Sequence, residues 1–277
     1  MTLSRRQLRR LLDEHGLEPS RARGQNFVVD PNTVRRIARL AEVGPGDRVV
    51  EIGAGLGSLS LALAETGASV TAIEVDHRLV PVLRSVVEPA GVAVVEGDAL
   101  RLDWGALLGD APWVLVANLP YNVATPFVAD LLDGVPAIRR MVVMVQREVA
   151  ERLAAGPGEE AYGAVSVKVA YWARASVVAR VPPTVFLPPP KVESAVIRID
   201  RRPEPAMPAD VDREWLFRLV GTAFRQRRKM LRRSLADLVT AEELAAAGIR
   251  GEARPEELAV EAWGRLARCT ARTPPPS

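Results

Sequence analysis

From Arg48 onward the chain alternates short β-branched runs with longer amphipathic ones, and that alternation restricts the architectures open to it. "RVVEI", "SVTAIE", "VAVVEG", "WVLVA" and "MVVMVQ" read as strands. Between them "SLSLALAE", "HRLVPVLRSVV" and "TPFVADLLDG" place apolar residues at three- and four-residue spacing, the helical period. Strands apolar on both faces and separated by helices predict a mostly parallel sheet wrapped by helices. "SVVARV" and "VESAVIRI", joined by the proline-rich "PPTVFLPPPK", read as two closing strands, seven in all. From Pro203 the pattern turns helical, in "DREWLFRLVGTAF", "RKMLRRSLADLV", "AEELAAAG" and "PEELAVEAWGRLAR". The expectation is an α/β domain over residues 1–202, with an N-terminal helical arm, and a small α-helical domain over 203–277 with a short tail, linked near "RRPEPAMPAD".

At 277 residues with 48% apolar and 26% charged positions, the chain is neither disordered nor fibrous. Its formal charge of +3 says little, but the distribution of charge says more. Met1 to Arg39 holds 9 Arg against 4 acids, and "RQRRKMLRR", Arg225 to Arg233, holds six basic residues in nine. Such clusters suit a polyanion meeting particular faces, or are solvated helix faces. A single cysteine, Cys269, excludes an internal disulfide, and with only His15 and His77 present no metal is expected. No signal-peptide core or membrane-length apolar stretch is visible, so the expectation is a cytoplasmic protein with no membrane contact, monomeric by default.

The strand ends carry the chemistry. The first core strand runs into "EIGAGLGSLS", where Gly53, Gly55 and Gly57 make a turn between strand and helix. Missing side chains there either let backbone approach a ligand or allow tight packing, and both readings stay open. Glu51 in the same stretch orients the backbone of that site or merely satisfies the turn. The second strand ends in "AIEVD" and places Glu74, 19 residues beyond Gly55, where a carboxylate can accept from both hydroxyls of a ribose. The third ends in "GDAL" and places Asp98 within reach of an adenine amino group. Ligands of open α/β sheets bind outside the carboxyl ends of the strands, so the three tips describe a nucleoside pocket with no second phosphate site.

The fourth tip, "ANLPYNVATP", spends an amide, a rigid turn and an aromatic ring within four positions. The amide oxygen of Asn118 and the carbonyl of Leu119 can both accept from an exocyclic amino group, and Tyr121 offers a ring for stacking. An amino nitrogen conjugated with adenine is a poor nucleophile. Two acceptors out of the base plane favour its pyramidal, attacking form and so bind the transition state better than the ground state. No strong base is required, since the nitrogen becomes acidic once it is alkylated. Tyr121 and Phe186 could equally be core aromatics, but both sit in proline-bounded loops, which suits a preorganised slot.

In order along the chain, "GQNFVVD", "EIGAGLGSLS", "IEVD", "GDAL", "NLPYN", "MVQREVAERL", "YGAVSV", "FLPPPKVESAV" and "FRQRRKMLRRSL" resemble the small-subunit ribosomal RNA adenine N6,N6-dimethyltransferases, the kasugamycin-resistance family. The resemblance implies a Rossmann-like, seven-stranded methyltransferase sheet with a helical RNA-binding domain. It implies S-adenosylmethionine as methyl donor, contacted through Asn26, Val28, Gly53, Glu74, Asp98 and Asn118. Asn118 and Leu119 would hold the target N6, with Tyr121 and Phe186 stacking on the base. Lys191, Arg225, Arg227, Arg228, Lys229 and Arg232 would meet phosphates. The implied substrate is a pair of adjacent adenines in a hairpin near the 3′ end of 16S rRNA, within a late precursor of the small subunit. Ala54 stands where the family often has Pro, "ATP" replaces a more usual "STP", and Arg233 stands where Asn is common; no proposed catalytic atom is lost.

Three other readings compete. The related antibiotic-resistance enzymes methylate one adenine of 23S rRNA, but usually carry Ile where Leu119 stands and match "FRQRRKMLRRSL" less closely. A DNA adenine methyltransferase would need a target-recognition domain for which this chain has no room. A ribosome-assembly checkpoint protein would need the RNA-binding face without Asn118, and that role is compatible with catalysis.

Overall fold

A computed structural model of the chain describes residues 2–20, 24–120 and 123–270. Nine strands form among them: β1 (Phe27–Val28), β2 (Arg48–Ile52), β3 (Ser69–Glu74), β4 (Ala93–Glu96), β5 (Trp113–Asn118), β6 (Ile138–Gln146), β7 (Ala173–Val181), β8 (Phe186–Leu187) and β9 (Ser194–Arg201). Seven of these build one sheet in the order β4-β3-β2-β5-β6-β9-β7. The pairs β2–β3, β3–β4, β2–β5 and β5–β6 are parallel, and β9 runs antiparallel to β6. All seven expected strands are present, in an α/β sheet of the expected kind.

The sheet is buried because its central strands are apolar on both faces. Val114, Leu115, Val116 and Ala117 are all 0% exposed, as are Val49 and Val50 beside them. Register follows from that packing, since a one-residue slip would turn each strand's faces over. Ile52 lies opposite Ile73 on one side and Ala117 on the other, so the strand tips finish level. The chain winds outward from β2 to β3 and β4, then returns to place β5 on the other flank of β2. That reversal opens a crevice at the carboxyl ends of β2 and β5.

A second, two-stranded sheet pairs β1 with β8, Phe27 opposite Leu187 and Val28 opposite Phe186. It ties the N-terminal segment to the proline-rich loop. Ahead of it, the helix Arg5–Glu14 is started by a capping box between Ser4 and Gln7 and held by burial of Leu8 and Leu12 in the apolar cluster around the sheet.

The chain divides into two compact units. One comprises the residues up to Ala150 with Ala175–Arg201, and the other Glu151–Arg174 with the residues from Arg202 on. The segment Glu151–Arg174, expected with the sheet domain, thus belongs to the helical unit. The helix Arg147–Ala154, which runs into this segment, shows an apolar face in sequence but not which core that face meets, and Ala164–Trp172 is apolar with no distinct face at all. Tyr162, Val167 and Tyr171 pack there with Leu216, Leu219 and Trp263. The Tyr162 hydroxyl donates to the Leu258 carbonyl at 2.8 Å, which satisfies its buried polar end.

Candidate active site

The turn after β2 separates its glycines by role. Gly53, Gly55 and Gly57 all have positive φ, at 70°, 59° and 84°. A Cβ on Gly55 would lie 2.8 Å from the Phe27 ring, and one on Gly57 2.3 Å from Val87. Those two are required by conformation and by packing together. Around Gly53 the nearest atom to such a Cβ is the Asn118 carbonyl oxygen at 3.8 Å, so its surroundings are open. Gly53 lines two adjacent cavities; its positive φ calls for glycine, while its surroundings leave space open to a ligand.

The larger cavity, about 390 Å³, is walled by Gly53, Val75, Asp98, Leu100, Leu119 and Pro120, among others, and falls in the size range of small-molecule sites. Val75 and Leu100, 55% and 57% exposed, are unusually open for large apolar side chains. Both border this cavity, where an apolar planar group would cover them. Asp98 sits between with one carboxylate oxygen accepting from the Leu100 amide at 3.0 Å. Its other oxygen lies 3.7 Å from Arg101 Nε, and with the side chain 40% exposed the carboxylate can still accept from a ligand.

Glu74 is 5% exposed and heavily engaged. Its Oε2 accepts from the Gly55 amide at 2.7 Å, and its Oε1 from the amides of Val75 and Asp76, both at 2.9 Å. A carboxylate offers about four acceptor positions, so three backbone donors leave room for one more rather than for both hydroxyls of a ribose. Burial raises its pKa, the nearby Asp76 charge adds to the rise, and the three amide bonds oppose it.

The smaller cavity, about 40 Å³, is lined by Glu51, Gly53, Ser58 and Asn118 together with Val28. Glu51 is 2% exposed and bonded to the Ser60 hydroxyl. Burial pushes its carboxyl up to about 8, with the Glu74 charge adding to the rise and the Ser60 bond opposing it. Ser58 Oγ in the same cavity is buried and finds no partner among the described residues, so a polar group belonging to a ligand has an acceptor and donor waiting there.

Asn118 closes β5. Its Nδ2 donates to the backbone carbonyl of Asn26 at 2.9 Å. That bond fixes the amide by its nitrogen, which leaves Oδ1 as the atom offered to a partner. The Leu119 amide donates to Met144 O at 3.0 Å and holds the backbone of the turn on β6. Asn26 is held in turn by its own side chain, which donates to Gly24 O at 3.2 Å.

Two residues that no sequence argument singled out secure this arrangement. Gln25 Nε2 donates to Asp76 Oδ2 at 3.1 Å, joining the segment before β1 to the tip of β3. Asp76, fully buried, also receives both ends of the Arg78 guanidinium, at 3.0 and 2.8 Å. The available signal is position alone, since Gln25 sits in "GQNFVVD" and Asp76 in "IEVD".

Other expected residues fall differently. Tyr121 lies outside the described residues. Phe186 does not present an open ring. It is 1% exposed within the apolar cluster around the sheet, and its backbone pairs with Val28, so in this conformation it anchors the loop. In the helical unit Arg227 is engaged inside the fold, donating to Glu256 at 2.6 Å and to Glu160 O at 2.7 Å. Arg232 pairs with Glu252 at 3.2 Å, and Arg225 bonds Thr222 at 2.9 Å. Lys191, Arg228 and Lys229 are exposed, and among the described residues they form no ion pair. Among the described residues no group of three or more His, Cys, Asp or Glu side chains could hold a metal ion.

Comparison with known proteins identifies the family. The sequence profile described as "Ribosomal RNA adenine dimethylase" matches residues 19–272. A protein of Cutibacterium acnes named "Ribosomal RNA small subunit methyltransferase A" is 49% identical, over 94% of this chain and 91% of its own. One of the same name from Magnetococcus marinus is 45% identical, over 96% and 97%. Among solved structures, the 23S rRNA methyltransferase ErmE superposes with a TM-score of 0.72 at 28% identity, covering 88% of this chain and 99% of its own. A dimethyladenosine transferase from Plasmodium falciparum shares the fold at a TM-score of 0.74 and 23% identity, over 86% and 94%. The chain belongs to the ribosomal RNA adenine dimethylase family.

Proposed function

We propose that this protein transfers methyl groups from S-adenosylmethionine to N6 of two adjacent adenines in a hairpin near the 3′ end of 16S rRNA, on a late small-subunit precursor. The observation that carries the reading is the amide of Asn118, pinned through Nδ2 to Asn26 O at 2.9 Å beside an open nucleoside-sized cavity. The relatives at 45–49% identity are named for the small subunit, whereas the neighbour named for 23S rRNA stands at 28%.

The donor's parts fit the residues present. A flat base suits the open faces of Val75 and Leu100 beside Asp98, a ribose hydroxyl suits the remaining acceptor position of Glu74, and a charged amino-acid end suits the orphaned Ser58 hydroxyl near Gly53. When bound, S-adenosylmethionine supplies an electrophilic methyl group on a sulfonium.

The protein's own contribution is to the nucleophile. In the first transfer Asn118 Oδ1 and the Leu119 carbonyl accept the two N6 hydrogens, and in the second one of them accepts the single hydrogen left, so that the nitrogen is held pyramidal with its lone pair off the ring. The carbon–sulfur bond breaks as the carbon–nitrogen bond forms, and the proton on the alkylated nitrogen leaves to water. The target adenine leaves its stack to reach these groups, because N6 of a stacked and paired base is not presented squarely. Two methyl groups on each of two bases require the donor to be exchanged between transfers. Lys191, Arg225, Arg228, Lys229 and Arg232 hold the RNA by its phosphates, while Arg227 fastens the turn that carries Arg228 and Lys229 to Glu256 and Glu160.

The test is transfer of labelled methyl to small and large ribosomal subunits lacking these modifications, with the product mapped by reverse-transcription stops. Paired stops at adjacent adenines of 16S rRNA are expected. Label in the large subunit, or none in either, would overturn the assignment.

A further inference from the structure

The N-terminal helix is charged against its own dipole. Arg5, Arg6, Arg9 and Arg10 occupy its first two turns, Asp13 and Glu14 its last, and Glu18 follows. An α-helix favours anions at its start and cations at its end, so this order weakens the helix. Its stability comes instead from the Ser4–Gln7 capping box and from burial of Leu8 and Leu12. Charge placed against local stability needs another explanation.

The partners of these arginines supply one. Arg5 Nη2 donates to Thr184 O at 2.7 Å, which fastens the helix to the loop carrying Phe186. Arg10 pairs with Glu14 at 2.6 Å. Arg6 and Arg9 are exposed and, among the described residues, have no ion-pair partner. Arg9 also lines a groove of about 430 Å³ whose facing wall is Leu187 and Pro188, next to the Phe186 position. Asp13 and Glu18 line the same groove, so it has a cationic and an anionic end.

We propose that Arg6 and Arg9 form a second RNA contact, taking backbone phosphates of the strand that flanks the target adenine. This rests on the rRNA reading above and adds to the basic cluster of the helical unit. The flanking strand crosses the first two turns of the helix, and Asp13 and Glu18 repel it from the far end of the groove. Two contacts of one polarity beside the base slot fix the direction in which the strand runs past the site. Phosphate contacts set register in this way without reading sequence.

The test measures binding of unmethylated small subunits across a range of salt concentrations, for wild type, Arg6→Ala/Arg9→Ala and Arg6→Lys/Arg9→Lys. Loss of two phosphate contacts should weaken binding roughly tenfold at low salt and flatten the log–log salt slope by about 1.5. Lysine should restore most of both, and donor affinity should stay at the wild-type value in every variant. In a Cys269→Ser background, an iron chelate tethered through Arg6→Cys should cleave 16S rRNA beside the target hairpin. An unchanged salt slope in the alanine variant overturns the proposal. Weakened binding without rRNA cleavage also overturns it and assigns Arg6 and Arg9 to an acidic protein surface. Wild type that neither binds nor methylates the subunits removes the rRNA reading itself, a result distinguishable from failure of the arginine contact alone.

Discussion

Asn118 and Asn26 lie 92 positions apart in sequence, and the side-chain nitrogen of the first is 2.9 Å from the main-chain carbonyl of the second. Through that bond the tip of β5 is organised by the segment leading into β1. The same segment is held at the tip of β3 by Gln25 and Asp76. The orientation of the amide therefore depends on a strap of N-terminal chain as well as on the sheet.

Loosening the strap should impair turnover. Gln25→Ala removes one donor from the buried Asp76 carboxylate, and hydrogen bonds to charged groups contribute about 1.5–3 kcal/mol. The expected result is a fall in single-turnover methyl transfer of about tenfold or more, with rRNA affinity nearly unchanged. Rapid-quench transfer assays beside filter binding separate the two effects.

The glycines of the turn should separate by readout. Gly57→Ala meets a positive φ and a contact 2.3 Å from Val87, so backbone strain of about 1–2 kcal/mol and overpacking of about 1–3 kcal/mol combine in a large loss of thermal stability. Gly53→Ala carries the strain alone, with its nearest neighbour at 3.8 Å, but places a methyl group in the donor cavity. Calorimetry should rank Gly57→Ala as the less stable, and donor titration should rank Gly53→Ala as the weaker binder.

Glu51 should make stability depend on pH in a definite direction. Its folded pKa of about 8 lies above the ordinary 4.5, so between those values the folded protein keeps a proton that the unfolded chain has lost. Its contribution therefore falls as pH rises through that window, by at most about 1.4 kcal/mol per pH unit. Glu51→Gln mimics the protonated form. Its melting temperature relative to wild type should rise from pH 5 to pH 8, and denaturation at several pH values measures the difference.

Phe186 can be tested for packing and stacking separately. Phe186→Ala in a site 1% exposed should cost about 3–5 kcal/mol of stability. Phe186→Leu keeps most of the volume and should cost about 1 kcal/mol. Near-normal transfer by the leucine variant would limit the residue to packing, whereas a folded but slow leucine variant would show that its ring meets the base. Thermal melts and transfer rates on both variants give the answer.

The parts of this protein that follow from periodicity and turn chemistry are readable in its sequence. Apolar runs such as "WVLVA" are buried on both faces because no alternation leaves a polar side, and the tips carrying Gly53, Asp98 and Asn118 align once the strands are in register. Contacts between distant short segments are not readable. β1 and β8 are two residues each, too short to show a period, and they pair across some 160 positions. Their pairing decides the surroundings of Phe186. Arg227 shows the same limit, because its charge matches its neighbours in "RQRRKMLRR" while its bonds go to Glu256 and Glu160. A local basic run does not tell which guanidinium turns inward.

The most direct measurement is single-turnover methyl transfer to unmethylated small subunits by wild type and Asn118→Ala, with donor and subunit both saturating. If Asn118 Oδ1 stabilises the pyramidal nitrogen, the variant should be slower by 10²–10³-fold, the cost of deleting one positioned hydrogen-bonding group, about 2.7–4 kcal/mol. A rate within threefold of wild type would contradict the account and move catalysis away from the tip of β5.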